Sequence, residues 1–164
     1  MRRPRKPDAA AGEADERTVR TAALALLAGR DFARNELAQR LRRRGYPAAV
    51  VTTVVEGLAA QRLLSESRFV EQFIRQHAGR GHGPVRIRVE LRERGVADGE
   101  IEEGLAAAAE DWALIARETR RKRFGLSPPG DYRERARQAR FLQYRGFSAE
   151  QVRAALGPGE DIES

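Results

Sequence analysis

The sequence predicts an all-α fold in which three tandem three-helix repeats form an extended, curved, modular helical protein. Three observations support this prediction. Apolar residues recur at helical spacing along most of the chain. Glycines interrupt this periodicity often enough to keep each helix short. A common pattern also occurs three times, centred on Gly45, Gly95 and Gly146, which are 50 and 51 residues apart.

The chain opens with an arm, residues 1–14, that we expect to be disordered and basic because it carries two prolines and four cations. The first repeat follows at residues 15–62. An apolar stripe predicts its first helix, and a stripe of valines predicts its third helix at residues 48–58. The apolar residues of the first helix are Val19, Ala22, Ala23, Leu26 and Leu27.

The three repeats share a signature around their central glycines. A leucine lies four residues before each glycine, and an apolar residue follows it directly. Glycine suits the left-handed position that ends a helix, after which the next side chain can turn into the core. We therefore expect six core residues at these positions. They are Leu41, Leu91, Leu142, Tyr46, Val96 and Phe147.

The second repeat, residues 63–108, contains one ambiguous segment. Residues 85–91 alternate apolar and polar side chains, a pattern that taken alone indicates a strand. The repeat places a second helix there, and Gly83 and Pro84 supply an N-cap and a proline at the first helical position. We therefore predict a helix.

The third repeat is predicted at residues 109–157. Neither glycine nor proline interrupts residues 106–123, so the third helix of the second repeat should run almost directly into the next helix. Ser148 and Gln151 form a capping-box pattern before the last helix, residues 149–156. Residues 158–164 are predicted to be a flexible acidic tail.

No catalytic, cofactor-binding or metal site is predicted. The chain has no cysteine, which excludes disulfides, thiol nucleophiles and cysteine-ligated metals. His77 and His82 straddle a glycine-rich turn and do not share a helix face as an i, i+4 ligand pair would, so His77 is interpreted as a packing residue. Residues 79–83 have the glycine content of a phosphate loop but lack its preceding strand and its Gly-Lys-Ser/Thr ending. We expect no enzymatic activity.

Positive charge is the main chemical feature of the chain. The formal net charge is +7, and ten basic residues against three acidic ones between positions 117 and 145 account for the same net value. Such a chain favours an anionic partner, nucleic acid first. A solvated face balanced by neighbouring glutamates is the alternative interpretation. The predicted partner- and DNA-binding face consists of Arg42, Arg43, Arg88, Arg92, Arg120, Arg121, Lys122, Arg123, Arg133, Arg137, Arg140 and Arg145.

The sequence also predicts where the protein acts. No apolar run approaches the ~20 residues that span a bilayer, and the basic N-terminus lacks the apolar segment of a secretory signal. We expect a cytoplasmic protein with no membrane partner.

Four stretches of the chain carry a resemblance to a known family. They are residues 23–32 with Glu36, Leu37 and Leu41; residues 63–70; residues 83–87 with Glu90, Leu91, Gly95 and Val96; and residues 141–148. Together they resemble the RecX regulatory proteins, which modulate the bacterial recombinase RecA. The resemblance runs from about Thr18 to Leu156. It departs from the family pattern at residues 65–67, where an acidic pair or Asp is usual, and at Ala33, where a serine often lies; both positions look like helix caps.

The resemblance implies an enzymatically inactive cytoplasmic protein that binds the RecA–DNA filament. Such proteins inhibit strand exchange, ATP hydrolysis and co-protease activity, by lodging in the filament groove or by impeding filament extension. These activities belong to homologous recombination, DNA repair and the SOS response. We also expect a monomer with nonspecific affinity for single- and double-stranded DNA.

Two other functions are compatible with the residues. In a tandem three-helix DNA-binding protein, each third helix would enter the major groove and display side chains that read base edges. Against this, the middle third helix carries Glu102 and Glu103, which would repel phosphate. The other alternative is a helical-repeat scaffold for a different acidic partner.

Overall fold

The computed structural model describes residues 9–159, with side chains described from residue 15. Within this range the chain forms nine α-helices and no strand, which confirms the all-α prediction. Residues 85–91 lie inside a helix, so the repeat outweighs the local alternation. The helices are α1 (Ala9–Gly29), α2 (Arg34–Arg43), α3 (Ala48–Ala60), α4 (Glu66–Gly79), α5 (Pro84–Glu93), α6 (Asp98–Ala108), α7 (Trp112–Phe124), α8 (Tyr132–Tyr144) and α9 (Ala149–Leu156).

The first helix begins inside the segment for which the sequence predicts a disordered arm. α1 starts at Ala9, the first of three consecutive alanines. Alanine has the highest intrinsic helix propensity, so the backbone can extend the amphipathic helix towards the N-terminus. Residues 1–8 and 160–164, which include most of the predicted arm and tail, lie outside the described residues.

The central glycines end the second helix of each repeat in the predicted conformation. Gly45, Gly95 and Gly146 have φ angles of 91°, 79° and 93°. The following N–H reaches back five residues: Tyr46 N donates to the carbonyl of Leu41 at 3.4 Å, and Phe147 N to that of Leu142 at 3.1 Å. These bonds satisfy carbonyls that the helix leaves open.

Core burial at the six predicted positions is confirmed for five of them. Leu41, Leu91 and Leu142 are fully buried, and Val96 and Phe147 nearly so. The prediction is wrong for Tyr46, which is only half-buried at the margin of the first repeat's core. A phenol ring can pack its edge against apolar side chains while its hydroxyl stays in water.

The start of α2 is capped by a residue distant in the sequence. Ala33 precedes α2 and has no side-chain acceptor to offer. Instead, the buried carboxylate of Glu66 accepts the N–H of Arg34 at 2.9 Å. Ser65 accepts the N–H of Arg68 at 3.3 Å at the start of α4. One carboxylate therefore ties two helices together and supplies the missing cap of α2.

The last helix and α7, which follows a short turn after α6, also begin with side-chain caps. The capping box of Ser148 and Gln151 is present at the start of α9. α6 and α7 are separated by only three residues: Ala109 turns the chain with a φ of 46°, and Asp111 caps α7 by accepting the N–H of Leu114 at 2.9 Å. The break needs neither glycine nor proline, which explains why the sequence shows no signal for it.

The chain divides into two compact units. The first contains the residues up to Phe69 together with Arg94–Val96, and the second contains Val70–Glu93 and the residues from Ala97 onwards. Apolar residues of α1, α2 and α3 form the core of the first unit, with Leu37, Leu41, Val51 and Leu58 fully enclosed. Among the described residues, no helix is long and apolar enough to cross a bilayer.

Within the second unit, the start of α5 abuts the end of α8. Gly83 N donates to the carbonyl of Arg145 at 2.8 Å, and Val85 N donates to that of Gly146 at 3.0 Å. A Cβ atom at Gly83 would lie 2.3 Å from the Gly146 carbonyl oxygen, so only glycine permits this approach. Amide groups at one helix start thus satisfy open carbonyls at another helix end.

Candidate interaction surface

One residue of the predicted basic face does not belong to it. Arg120 is only 4% exposed, and its guanidinium donates to Gln138 Oε1 at 2.9 Å and to the carbonyls of Gly125 (3.4 Å) and Ser127. The prediction that it lies on an exposed face is wrong, because its guanidinium is buried and donates hydrogen bonds to α8 and to the loop that follows α7. Arg120 is a structural residue.

Four of the predicted arginines have their charge offset by a neighbouring carboxylate. Two of these pairs join α5 to α6, and the other two each lie within a single helix, α7 or α8. The Nε–carboxylate distances are 2.6 Å for Arg88–Glu102, 2.6 Å for Arg92–Asp98 and 3.0 Å for Arg137–Glu134, and Arg121 Nη1 lies 3.3 Å from Glu118.

The strongest of these pairs shift the ionisation of their acids. The hydrogen bond from Arg88 lowers the pKa of Glu102, and the hydrogen bond from Arg137, followed by that from Gln138, lowers the pKa of Glu134. Both carboxylates therefore stay charged and compete with any external anion for these guanidinium groups.

The remaining predicted cations divide into two groups. Arg145 is half-buried, and its Nη1 donates to the carbonyl of Arg80 at 3.4 Å. The other six are exposed and form no ion pair with any described residue, so their charge is available to an external partner. They are Arg42 and Arg43 on α2, Lys122 and Arg123 on α7, and Arg133 and Arg140 on α8.

A cleft in the second unit concentrates this available charge; we call it the α7 cleft. Its volume is about 430 Å³. Its walls are formed by the end of α4 with the loop that follows it, by one face of α7, and by Phe141 of α8 with Arg145 just after that helix. Glu118 is the one acidic lining residue, and its partner is Arg121. The lining residues are Ala78, Gly79, Arg80, Gly81, Leu114, Ile115, Glu118, Thr119, Lys122, Arg123, Phe141 and Arg145.

Aromatic rings extend the cationic surface along one side of this cleft. The guanidinium carbons of Arg123 and Arg137 lie 5.3 and 5.2 Å from the ring centroid of Phe124. The rings of Phe124 and Phe141 pack edge to face with their centroids 5.2 Å apart. The guanidinium carbon of Arg145 lies 5.3 Å from the centroid of Phe141. Cations interleaved with aromatic rings are suited to phosphates beside unstacked bases, and to carboxylates beside apolar side chains.

Sequence reasoning misses Arg80, which lines the α7 cleft with Lys122, Arg123 and Arg145. It is exposed and lies between two glycines in a loop whose only sequence signal is its likeness to a phosphate loop. A charged residue between glycines has little packing role, and that is the signal that could have indicated it. The loop that carries Arg80 lies beside the α7 cleft because the start of α5 packs against the end of α8. The sequence does not reveal this contact.

Several polar side chains of the third helices are bonded within the protein. The hydroxyls of Thr52 and Thr53 donate back to the carbonyls of Ala48 and Ala49. Glu102 is paired with Arg88, and Gln151 is engaged in its capping box. These four groups are therefore not free to contact base edges, whereas Glu103 and Arg153 are exposed.

The two histidines meet although they do not share a helix face. His77 is buried and stacks on Phe73 with ring centroids 3.9 Å apart, which confirms its packing role. The glycine-rich turn brings His82 back so that the two Nδ1 atoms lie 3.0 Å apart. Burial, followed by the charges of Arg86 and Arg145, lowers the pKa of His82.

The three-helix repeats are similar to the domains of a known protein family. The first, second and third three-helix domains of RecX match residues 20–58, 65–105 and 110–156. The regulatory protein RecX of Halorhodospira halophila is 54% identical over 151 residues, which are 92% of this chain and 93% of that protein.

The chain belongs to the RecX family. RecX of Pseudomonas entomophila is 43% identical over 144 residues, covering 88% of this chain and 92% of its own length. The crystal structure of RecX from Lactobacillus salivarius superposes with a TM-score of 0.69 at 21% identity, covering 85% of this chain and 93% of that one. A second RecX crystal structure gives a TM-score of 0.75 at 20% identity, with 92% and 78% coverage. These two structures support the fold.

Proposed function

We propose that this protein binds the RecA–DNA nucleoprotein filament and negatively modulates its recombinase, ATPase and co-protease activities. In this proposal the protein catalyses no reaction and acts by binding to the filament. It is a cytoplasmic monomer, and it has nonspecific affinity for single- and double-stranded DNA. Membership of the RecX regulatory family is the observation that carries this proposal.

The distribution of free charge supports binding to an extended acidic object. Exposed cations that have no acidic partner within residues 9–159 occur on α2 in the first unit and on α7 and α8 in the second. A filament offers both DNA phosphates and protein carboxylates along its length, and such contacts are favourable where the cations are not already neutralised. The offset arginines, Arg88, Arg92, Arg121 and Arg137, contribute less because binding would first have to break an existing pair.

The α7 cleft is the best candidate for the principal contact. Lys122 and Arg123 are exposed at its edge, and Arg80 and Arg145 line it. Because Leu114, Ile115 and Phe141 are also in the lining, the cleft can accept an acidic group together with an apolar side chain or a base. Thr52, Thr53 and Gln151 are bonded internally, and α6 presents the acidic Glu103, which argues against sequence-specific recognition of DNA by the third helices.

The experiment is to measure ATP hydrolysis by RecA on single-stranded DNA with increasing amounts of this protein. We expect the wild-type protein to inhibit hydrolysis and the Lys122→Glu/Arg123→Glu double variant to need at least about tenfold more protein, which corresponds to a binding free energy weaker by about 1.4 kcal/mol. The matched control is Arg17→Glu/Arg153→Glu, which changes the net charge equally at two exposed arginines outside the cleft.

The outcomes separate the proposal from its alternatives. If both double variants inhibit hydrolysis equally weakly, the effect comes from the loss of net positive charge, and the α7 cleft makes no specific contact. If the wild-type protein leaves RecA hydrolysis unchanged at every concentration, the proposed function is wrong, and a scaffold for another acidic partner becomes the better hypothesis.

A further inference from the structure

The most unusual polar cluster outside the α7 cleft joins the end of α4 to α5. His77 lies in the last turn of α4, His82 lies just before α5, and Glu90 lies on α5. One ligand-type atom from each residue lies within 4.8 Å of the other two. Both histidines are buried, and Glu90 is half-buried. We propose that His77, His82 and Glu90 form a binding site for a divalent transition-metal ion of the Zn²⁺ class.

The distances match those of a metal centre. The Nδ1 atoms of the two histidines are 3.0 Å apart, and His77 Nδ1 is 3.3 Å from Glu90 Oε2. Ligand atoms bound at about 2.0–2.1 Å to a tetrahedral zinc ion lie roughly 3.3 Å from each other. Two edges of the triangle are therefore close to the required length, and the ligand atoms of His82 and Glu90 lie within 4.8 Å of each other.

The orientation of the three groups also favours a cation between them. A neutral imidazole carries one N–H, so a single proton on His77 Nδ1 cannot serve both His82 Nδ1 and Glu90 Oε2 fully. A metal ion would satisfy all three lone-pair donors at once. Three ligands with a fourth position left to solvent are a common zinc arrangement.

Neighbouring residues already hold the ligands in place. Arg86 Nε donates to Glu90 Oε1 at 2.7 Å, which directs Oε2 towards His77. Phe73 stacks on the His77 ring with an interplanar angle of 18° and fixes its plane. Outer contacts of this kind orient metal ligands and affect affinity strongly.

The types of ligand atom select the class of metal. Mg²⁺ and Ca²⁺ are held mainly by oxygen ligands, and this cluster offers a single carboxylate beside two imidazoles. Imidazole nitrogens suit zinc, copper and nickel, whose bonds to nitrogen are stronger.

The test is a binding measurement on tag-free, full-length protein. The chain has two histidines and no cysteine, so no other histidine or thiolate site can bind the ion. We expect equilibrium dialysis to give one Zn²⁺ per chain, and Co²⁺ to give the strong visible absorption of a four-coordinate site. Both signals should disappear in His77→Phe/His82→Phe, which keeps the ring volumes.

Two single substitutions keep the proposal testable if the double variant does not fold. Glu90→Gln preserves the shape of a ligand, and Arg86→Gln removes the group that orients it; each should weaken Zn²⁺ binding by about 10–100-fold. Glu93→Gln, an exposed change on the same helix, is the matched control and should bind as wild type. Wild-type affinity in Glu90→Gln, or no Zn²⁺ bound by the wild-type protein at micromolar concentration, would overturn the proposal.

Discussion

Arg120 and Lys122 lie two positions apart on α7, carry the same charge and have opposite surroundings. Arg120 is buried against Gln138 and the loop carbonyls, whereas Lys122 is exposed at the edge of the α7 cleft. Their helix reads Arg-Arg-Lys-Arg over positions 120–123, so composition alone cannot tell which cation points inwards. The burial of Arg120 is set by acceptors on α8 and in the following loop.

This contrast predicts different costs for the same substitution. Arg120→Met should lower the free energy of unfolding by about 1–3 kcal/mol, because carbonyls of the loop and the amide of Gln138 lose their donor. Lys122→Met should change it by no more than about 0.5 kcal/mol, as is usual for an exposed side chain. Urea unfolding of both variants measures the difference. Equal midpoints would contradict the assignment of Arg120 as a structural residue.

Among the elements, the junction between α5 and α8 determines how the second and third repeats meet. The open N–H groups at the start of α5 point at the open carbonyls at the end of α8, and two glycines allow the backbones to approach. Gly146 would also place a Cβ 2.3 Å from the Cβ of Arg86. The sequence indicates both glycines as helix ends, but it does not indicate that the two ends touch.

We predict that Gly83→Ala destabilises this junction. The added Cβ would meet the backbone of Gly146, which cannot rotate away as a side chain would, so the change should cost about 1–3 kcal/mol. Gly99→Ala in α6 is the matched control: no heavy atom lies within 4 Å of its added Cβ, and alanine favours the helix, so stability should be unchanged or slightly higher. Thermal unfolding of the two variants checks the prediction. Similar melting temperatures for Gly83→Ala and the wild type would show that α5 and α8 can separate at no cost in stability.

At the scale of the whole molecule, features that repeat along the chain are predictable and features made by distant residues are not. The all-α fold, the glycine turns, α5 and the capping box follow from periodicity and local chemistry. The capping of α2 by Glu66, the approach of Arg80 to the α7 cleft and the meeting of His77 with Glu90 each depend on tertiary structure. The sequence locates the net charge on the third repeat, but it does not distinguish cations that are free from those already paired.

The free cations of α8 lead to a prediction about the nature of the partner surface. Arg133 and Arg140 are exposed and have no acidic partner among the described residues, so reversing both to Glu should weaken binding with little change in helicity. Binding of wild type, Arg133→Glu/Arg140→Glu and the Arg17→Glu/Arg153→Glu control is measured on naked single-stranded DNA and on RecA filaments over a salt series. If these arginines bind phosphate, binding weakens on both substrates, and on single strands the log–log salt slope falls by about 0.7 for each phosphate that is no longer neutralised.

Weakening on filaments alone would instead place the two arginines against acidic side chains of RecA, since such ion pairs are also screened by salt but are absent on naked DNA. The control variant separates both results from a general effect of net charge. If the α8 variant matches the wild type on both substrates at every salt concentration, α8 faces solvent in the complex, and the binding surface must be sought at the α7 cleft or on α2.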